Sequence, residues 1–423
     1  MSPLSQPVLG TWDMSPHTGE SDAFGYKLLF VYLFIEYVRP MDFIPGLGLL
    51  KPGLVISCLL MLSWVTTGNL SRVFDFRKQI KYTWLFIILM ATSVSFARNT
   101  HFAFFTALTV LGYMPFMLSC ILYLSSLERV QAFFRVWIYL LLFLAVKGIV
   151  FHGKGGSSFL SDENDFSLLM NMMIPFAYFF CLHVQKGWER TLYLAAAGLG
   201  AVSVVASSSR GGFVGLVVVG GIMWWFSPRK LVAIAVLGIV AVLVAAFADP
   251  KYWEEMGTIT DTSEATASSR IDSWTAAWEM FKDNPWGVGA ANFPFNFAEY
   301  QGGLAFKREM WGRAAHSLWF TLLSELGVIG TLLFLTIIWQ HWKDLRWVQK
   351  VNKDQAGPRR VLYFLSLAFL GSLAGFFVSG TFLSVLYYPH FYYLTALIVA
   401  TVKLSQKLER EGLRRNGHNA VTG

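Results

Sequence analysis

Charge is scarce in this chain. Only 14% of its 423 residues are Asp, Glu, Lys or Arg, against about 25% in soluble globular domains, which excludes a conventional water-facing surface over most of its length. Cysteine is scarcer still: Cys58, Cys120 and Cys181 all fall inside apolar runs, without CxxC or Cys/His spacing. They read as small buried hydrophobes rather than as a disulfide framework or a metal site. There is no D-x-D, P-loop, H-E-x-x-H or G-x-S-x-G. The G-x-G pairs at Gly46/Gly48, Gly198/Gly200 and Gly287/Gly289 lack the strand–turn–helix setting of a nucleotide fold. A donor activated by a cytoplasmic nucleotide and a divalent metal is therefore disfavoured, and neither metal nor cofactor is expected. Internal repeats, coiled-coil heptads and low-complexity tracts are missing too. Residues 1–23 are polar and irregular, without a basic stretch ahead of a short apolar core, so no cleaved signal peptide is expected.

What the chain does have is apolar length. Hydrophobic residues make up 55% and aromatics 16%, and runs long enough to cross a bilayer, about 20 helical residues, follow one another from end to end. The sequence predicts an all-α polytopic membrane protein with about 12 transmembrane helices, near 24–38, 47–66, 80–97, 102–125, 130–150, 164–184, 191–208, 212–227, 231–248, 316–340, 361–379 and 384–402. Two long stretches remain outside the spans, 249–315 and 341–360. The expected division is a tail 1–23, spans over 24–248, a large loop 249–315, spans over 316–402 and a basic tail 403–423.

The net charge of +8 sits in the short loops rather than along one stripe, which points to the positive-inside rule and away from nucleic acid. One set of alternate loops, with the C-terminal tail, holds 21 Lys and Arg residues, among them Arg72, Arg77, Arg129, Lys186 and Arg229; the short loops of the other set hold five, Arg39, Lys51, Arg98, Lys154 and Arg210. Both termini are then expected in the cytoplasm of a bacterium, with the loop 249–315, Arg98, Arg210 and the 151–163 loop facing the periplasm across the inner membrane.

The outer loop carries helical patterning. Ser269-x-x-Asp272 has the form of a capping box, Ile271, Trp274, Trp278 and Phe281 recur on one face, and Pro285, Gly287 and Gly289 turn the chain. An amphipathic helix at the membrane surface is expected, with Arg270 in its first turn; its aromatic face serves interfacial packing or sugar stacking.

Few polar residues remain to carry chemistry. Arg210, in Ser207-Ser-Ser-Arg-Gly-Gly212, is a cation between two apolar runs, either functional or snorkelling to lipid phosphates; Gly211 and Gly212 leave room for a bulky anion. Arg270 is a second cation on the same face. Two guanidinium forks converging on one site match the oxygens of a pyrophosphate. His316, where the large loop re-enters the membrane, is a base near neutral pH or a polar residue at a helix start. Glu325, nine residues on, lies roughly opposite it and reads as an interhelical hydrogen-bond acceptor. Asp162 and Asp165 open the sixth span, as helix-dipole partners, as metal ligands or as partners for Arg210 or an acceptor. Lys147 and Glu36 are lesser candidates.

Four patches in order resemble the O-antigen ligase and polymerase superfamily: Asp162-Glu-Asn-Asp-Phe166; Ser207-Ser-Ser-Arg-Gly-Gly212; Ser269-Arg-Ile-Asp-Ser-Trp274 through Asp283-Asn-Pro-Trp-Gly-Val-Gly-Ala-Ala-Asn-Phe293; and His316-Ser-Leu-Trp-Phe320 through Glu325-Leu-Gly-Val-Ile-Gly330. The resemblance covers roughly residues 155–340. It implies a C-type glycosyltransferase-like helical fold and metal-independent transfer of a glycan from undecaprenyl pyrophosphate to a hydroxyl acceptor. The acceptor is lipid A core for a ligase, or a growing polysaccharide for a polymerase. It further implies that Arg210 and Arg270 bind the pyrophosphate and that His316 is the general base, with Asp162, Asp165, Glu325 and Trp274 in acceptor or supporting roles. The family's asparagine after the histidine is Ser317 here. From a different class, a transporter or flippase of anionic solutes also fits many apolar spans, but such proteins tend to carry inverted repeats around a midplane site, and here the polar residues gather at one face.

Overall fold

A backbone in hydrocarbon must satisfy its own hydrogen bonds, and a helix does so within one segment. The computed structural model accordingly is all-helical among its described residues, 82% helix and no strand. Those residues are 20–67, 77–227, 265–301 and 312–422, with isolated positions between 230 and 257. The ninth expected span (231–248), the first part of the large loop, and Arg72 and Arg229 lie largely or wholly outside them.

The helices are α1 (Glu20–Leu33), α2 (Pro52–Thr66), α3 (Lys78–Ser93), α4 (Thr100–Gly112), α5 (Met114–Tyr123), α6 (Leu127–Val150), α7 (Glu163–His183), α8 (Gly187–Ala206), α9 (Arg210–Phe226), α10 (Ala265–Asp283), α11 (Leu318–Asn352), α12 (Val361–Gly380) and α13 (Pro389–Thr422). Among the described residues six helical segments are long and apolar enough to cross a membrane, at Leu47–Thr66, Thr100–Tyr123, Leu127–Val150, Glu163–His183, Leu318–Asn352 and Gly357–Gly380. This makes the chain a helical membrane protein.

Several boundaries differ from the sequence reading. The span expected at 102–125 is two helices, with Pro115 in the first turn of the second. The stretch 341–360 is mostly a continuation of α11 to Asn352. The last helix starts at Pro389, not 384, because proline suits a first helical position and 381–388 form a turn instead. α10 starts at Ala265, so Ser269 is inside it and does not cap it.

α7 is the centre of the bundle, with nearly every residue from Asp165 to Cys181 buried. Helices in lipid gain little from the hydrophobic effect and associate through close backbone approach and polar contacts. Asn171 supplies one such contact: its Nδ2 donates to the Gly212 carbonyl of α9 at 2.8 Å and to Ser379 Oγ of α12 at 3.1 Å.

Hydrogen bonds sort the loops into two ends. At one end Ser157 donates to Asp42, the Asn292 side chain pairs reciprocally with the Asn99 backbone, and the backbone N–H of His316 donates to Ser384. At the other end Tyr26 donates to the Arg129 carbonyl, Arg77 to Gln406 and Asp344, and Asn352 to Ser405.

Candidate active site

The loop after α10 is docked onto a break in α11. Gly327 adopts φ 61°, ψ −157° inside that helix, a conformation open essentially to glycine. The break frees two carbonyls: Val288 N–H donates to Ser324 O at 3.0 Å and Gly289 N–H to Glu325 O at 2.9 Å, while Val328 N–H donates to Pro285 O at 2.9 Å. A Cβ on Gly287 would overlap the Glu325 carbonyl, and one on Gly327 the Pro285 carbonyl. The Glu325 side chain, buried, completes the joint by accepting from Phe293 N–H (3.0 Å), Ala291 N–H (2.7 Å) and the Tyr387 hydroxyl (2.6 Å). Glu325 thus acts as a latch between the loop, α11 and the 381–388 turn, not as an interhelical acceptor alone.

This joint holds α10 against α11. The side of α10 that packs inward is small, Ser273, Ala276, Ala277 and Met280, and Met280, Ala276 and Ala277 cluster with Val288, Phe293, Phe297 and Ala315. The expected aromatic face divides: Ile271 and Trp278 are exposed, whereas Trp274 stacks on Phe320 with ring centres 5.5 Å apart and 16° between planes, and its other neighbour is Phe382 at 6.4 Å. Trp274 therefore packs against protein rings.

The same rings connect the elements that carry the candidate residues. Trp274 is one turn beyond Arg270 on α10, and Phe320 lies in the first turn of α11, shortly after His316. Phe382 also lies against Gly211, next to Arg210, where an added Cβ would come within 3.3 Å of it. Arg210 opens α9, whose cap Ser209 accepts from Gly212 N–H at 3.0 Å and donates to Asn164 Oδ1 at 2.7 Å, fastening it to the start of α7. The two glycines do not leave room for an anion as expected; Phe382 and Ser167 fill the space beside them.

His316 is half-buried in the left-handed region (φ 49°), where histidine is found more often than bulky or β-branched residues. Its imidazole is held below the usual histidine range, first by burial, then by the Arg313 and Arg270 cations, with Asp162 acting in the opposite direction. That places Arg270, Arg313 and Asp162 in one electrostatic neighbourhood with His316. Asp162 caps α7, accepting from Asn164 N–H at 2.8 Å. Asp165 accepts from the Tyr388 hydroxyl at 2.8 Å. Glu36 accepts from Tyr393 at 3.2 Å, and the Lys147 ammonium lies 4.7 Å over the Phe43 ring. Ser317 is buried with its Oγ unpartnered, so it does not orient the imidazole as an asparagine could. Among the described residues no group of three or more His, Cys, Asp or Glu forms a metal-binding cluster.

Arg313 is a member of this site that the sequence reading passed over. Its Nη2 donates to Ser269 Oγ at 2.6 Å while its Nε is buried without a partner. Three residues ahead of His316 it looked like a flank of the motif; only the fold lays it on the residue before Arg270. In the turn 381–388, Ser384, Tyr387 and Tyr388 were hidden inside the span expected at 384–402, and Phe382 in the short gap before it.

No curated protein matches the chain. The family model Wzy_C, O-Antigen ligase, matches residues 195–335, about a third of the chain and the part that carries Arg210, Arg270, Arg313, His316 and Glu325. The match likens residues 195–335, and with them the candidate site, to the O-antigen ligase family.

Proposed function

We propose that this protein is a membrane glycosyltransferase of O-antigen ligase type, moving a glycan from undecaprenyl pyrophosphate to a hydroxyl of lipid A core at the periplasmic face of the inner membrane. The observations that carry the proposal are the Arg313 and Arg270 cations acting on a half-buried His316 and the contacts of Trp274, Phe320 and Phe382, which link α10, the first turn of α11 and the start of α9. The acceptor hydroxyl oxygen attacks the anomeric carbon of the donor sugar as the bond from that carbon to the pyrophosphate oxygen breaks. The hydroxyl proton goes to His316, and undecaprenyl pyrophosphate departs with its charge held by Arg210 and Arg270. Pyrophosphate is already a good leaving group, so positioning and fixed cations suffice in this scheme and no metal ion is required. Burial and the neighbouring cations keep His316 unprotonated at neutral pH, which is the state a base needs.

The topology that goes with this reading has twelve spans, both termini in the cytoplasm and the 249–315 loop outside. The sorting of loops into two hydrogen-bonded ends and the bias of Lys and Arg toward one of them support it. The exposed Ile271, Trp278 and Trp286 then lie at the outer membrane–water boundary, where tryptophan is enriched.

The direct test is to incubate the purified protein with lipid-pyrophosphate-linked glycan and either lipid A core or free polysaccharide, and to weigh the products. Glycan on lipid A core is the expected result. Chain extension alone makes the protein a polymerase, and no product from either acceptor refutes the transfer reading. Transfer continues in excess EDTA; a loss that Mg²⁺ restores contradicts the metal-free scheme. Arg313→Ala removes a cation beside His316, so its imidazole protonates more readily and the acid limb of kcat/KM moves to higher pH. An unmoved limb separates Arg313 from the base.

A further inference from the structure

At the end of the bundle opposite the candidate active site, α13 runs past the membrane-length part of the fold and, with the start of α3, encloses a cleft of about 480 Å³. Arg77 at the base is already committed: it donates to Gln406 Oε1 at 2.7 Å and to Asp344 Oδ2 at 3.1 Å, and Gln79 donates to the same carboxylate oxygen at 2.6 Å. The remaining charge comes from α13. Lys403, Lys407, Arg410 and Arg414 line the cleft against one carboxylate, Glu411. Spaced four, three and four residues apart, they form a single stripe along the helix. Lys407, Arg410 and Arg414 are exposed, so water screens their mutual repulsion, and an anion seated among them lowers it further.

One turn along α3 from Arg77, Lys81 is exposed, and Leu85 and Ile88 follow it on the same face, 47% and 53% exposed. A cationic cleft with an outward-facing aliphatic stripe on the adjoining helix matches a molecule with an anionic head and hydrocarbon tails, and matches a soluble anion less well. The ligand chemistry is a phosphate group, and the stripe selects its lipid source over free phosphate.

We propose that the cleft between α13 and the start of α3 binds the phosphate of an anionic phospholipid, whose acyl chains lie along Leu85 and Ile88. This site is independent of the glycosyl-transfer reading, since it shares none of that site's residues and lies at the other end of the molecule.

The full-length protein in nanodiscs or detergent tests it, with phosphatidylglycerol as probe and phosphatidylcholine as the neutral control. Native mass spectrometry should find phosphatidylglycerol retained through delipidation and phosphatidylcholine lost. The double variant Lys407→Gln, Arg410→Gln should weaken retention about 30-fold, at roughly fivefold for each basic side chain near an anionic headgroup. A matched double variant on the exposed side of α11, Lys343→Gln, Lys350→Gln, removes the same charge at the same end and should leave retention unchanged. Equal losses in the two variants overturn the proposal, because the attraction is then that of a general basic surface. If inorganic phosphate or glycerophosphoglycerol competes as strongly as the whole lipid, the site is one for soluble anions and the lipid assignment fails.

Discussion

Replacing His316 with alanine lowers glycan transfer by roughly 10²–10⁴-fold, the usual worth of a positioned general base, with the helices intact. The imidazole sits at the head of α11 on a segment pinned from both sides: its own N–H donates to Ser384 at 2.9 Å, and Arg313 donates to Ser269 on α10 at 2.6 Å. Neither anchor uses the imidazole, so removing it deletes a proton acceptor and little packing. The variant should keep its thermal unfolding profile and its affinity for lipid-pyrophosphate glycan, and fail in single-turnover transfer at saturating donor. Arg270→Ala should be comparably damaging, near the roughly 10²–10³-fold cost of losing one preorganised donor to developing charge, but with donor binding weakened as well. A His316→Ala protein that transfers at the full rate sinks the base assignment. Full transfer by Arg270→Ala sinks the pyrophosphate assignment while leaving the base in place.

The contrast between these residues explains what the sequence makes legible. Arg210, Arg270 and His316 stand out because a cation or imidazole beside long apolar runs is costly and therefore noticed. Helix positions are legible for the same reason, since hydropathy reports what faces lipid. Glu325 shows the limit: helical periodicity places it opposite His316, yet its partners are two backbone N–H groups and a tyrosine from the loop and the 381–388 turn. No local pattern encodes that joint, because it depends on a helix break at Gly327 that hydropathy reads as one continuous span. Arg313 is missed for a related reason. Its significance lies in reaching Ser269, forty-four residues earlier, and spacing along the chain carries no trace of that. The capping box at Ser269 fails because the helix already begins at Ala265, and the aromatic face of α10 divides, Trp274 turning to protein rings while Ile271 and Trp278 stay exposed.

Opening the Glu325 joint should show how far the active site depends on it. In Glu325→Ala the Ala291 and Phe293 amides and the Tyr387 hydroxyl lose their acceptor together, at about 1–3 kcal/mol for each buried donor left unpaired. The loop over residues 285–293 then opens more often, and hydrogen exchange at the Ala291 and Phe293 amides accelerates by roughly 10- to 100-fold. Transfer falls as well, because the same joint holds α10, and with it Arg270, over His316. Glu325→Gln should be intermediate. Its amide oxygen can still accept from Phe293 N–H, and its NH₂ can donate to the tyrosine hydroxyl, but Ala291 N–H then faces another donor. The expected order of exchange rates is therefore wild type, Gln, Ala, with Ala291 affected more than Phe293 in the Gln protein. Unchanged exchange at both amides in Glu325→Ala would mean that the loop is held by the Gly287–Gly289 backbone bonds alone. A Glu325→Ala protein with accelerated exchange but undiminished transfer would mean that the loop does not position Arg270.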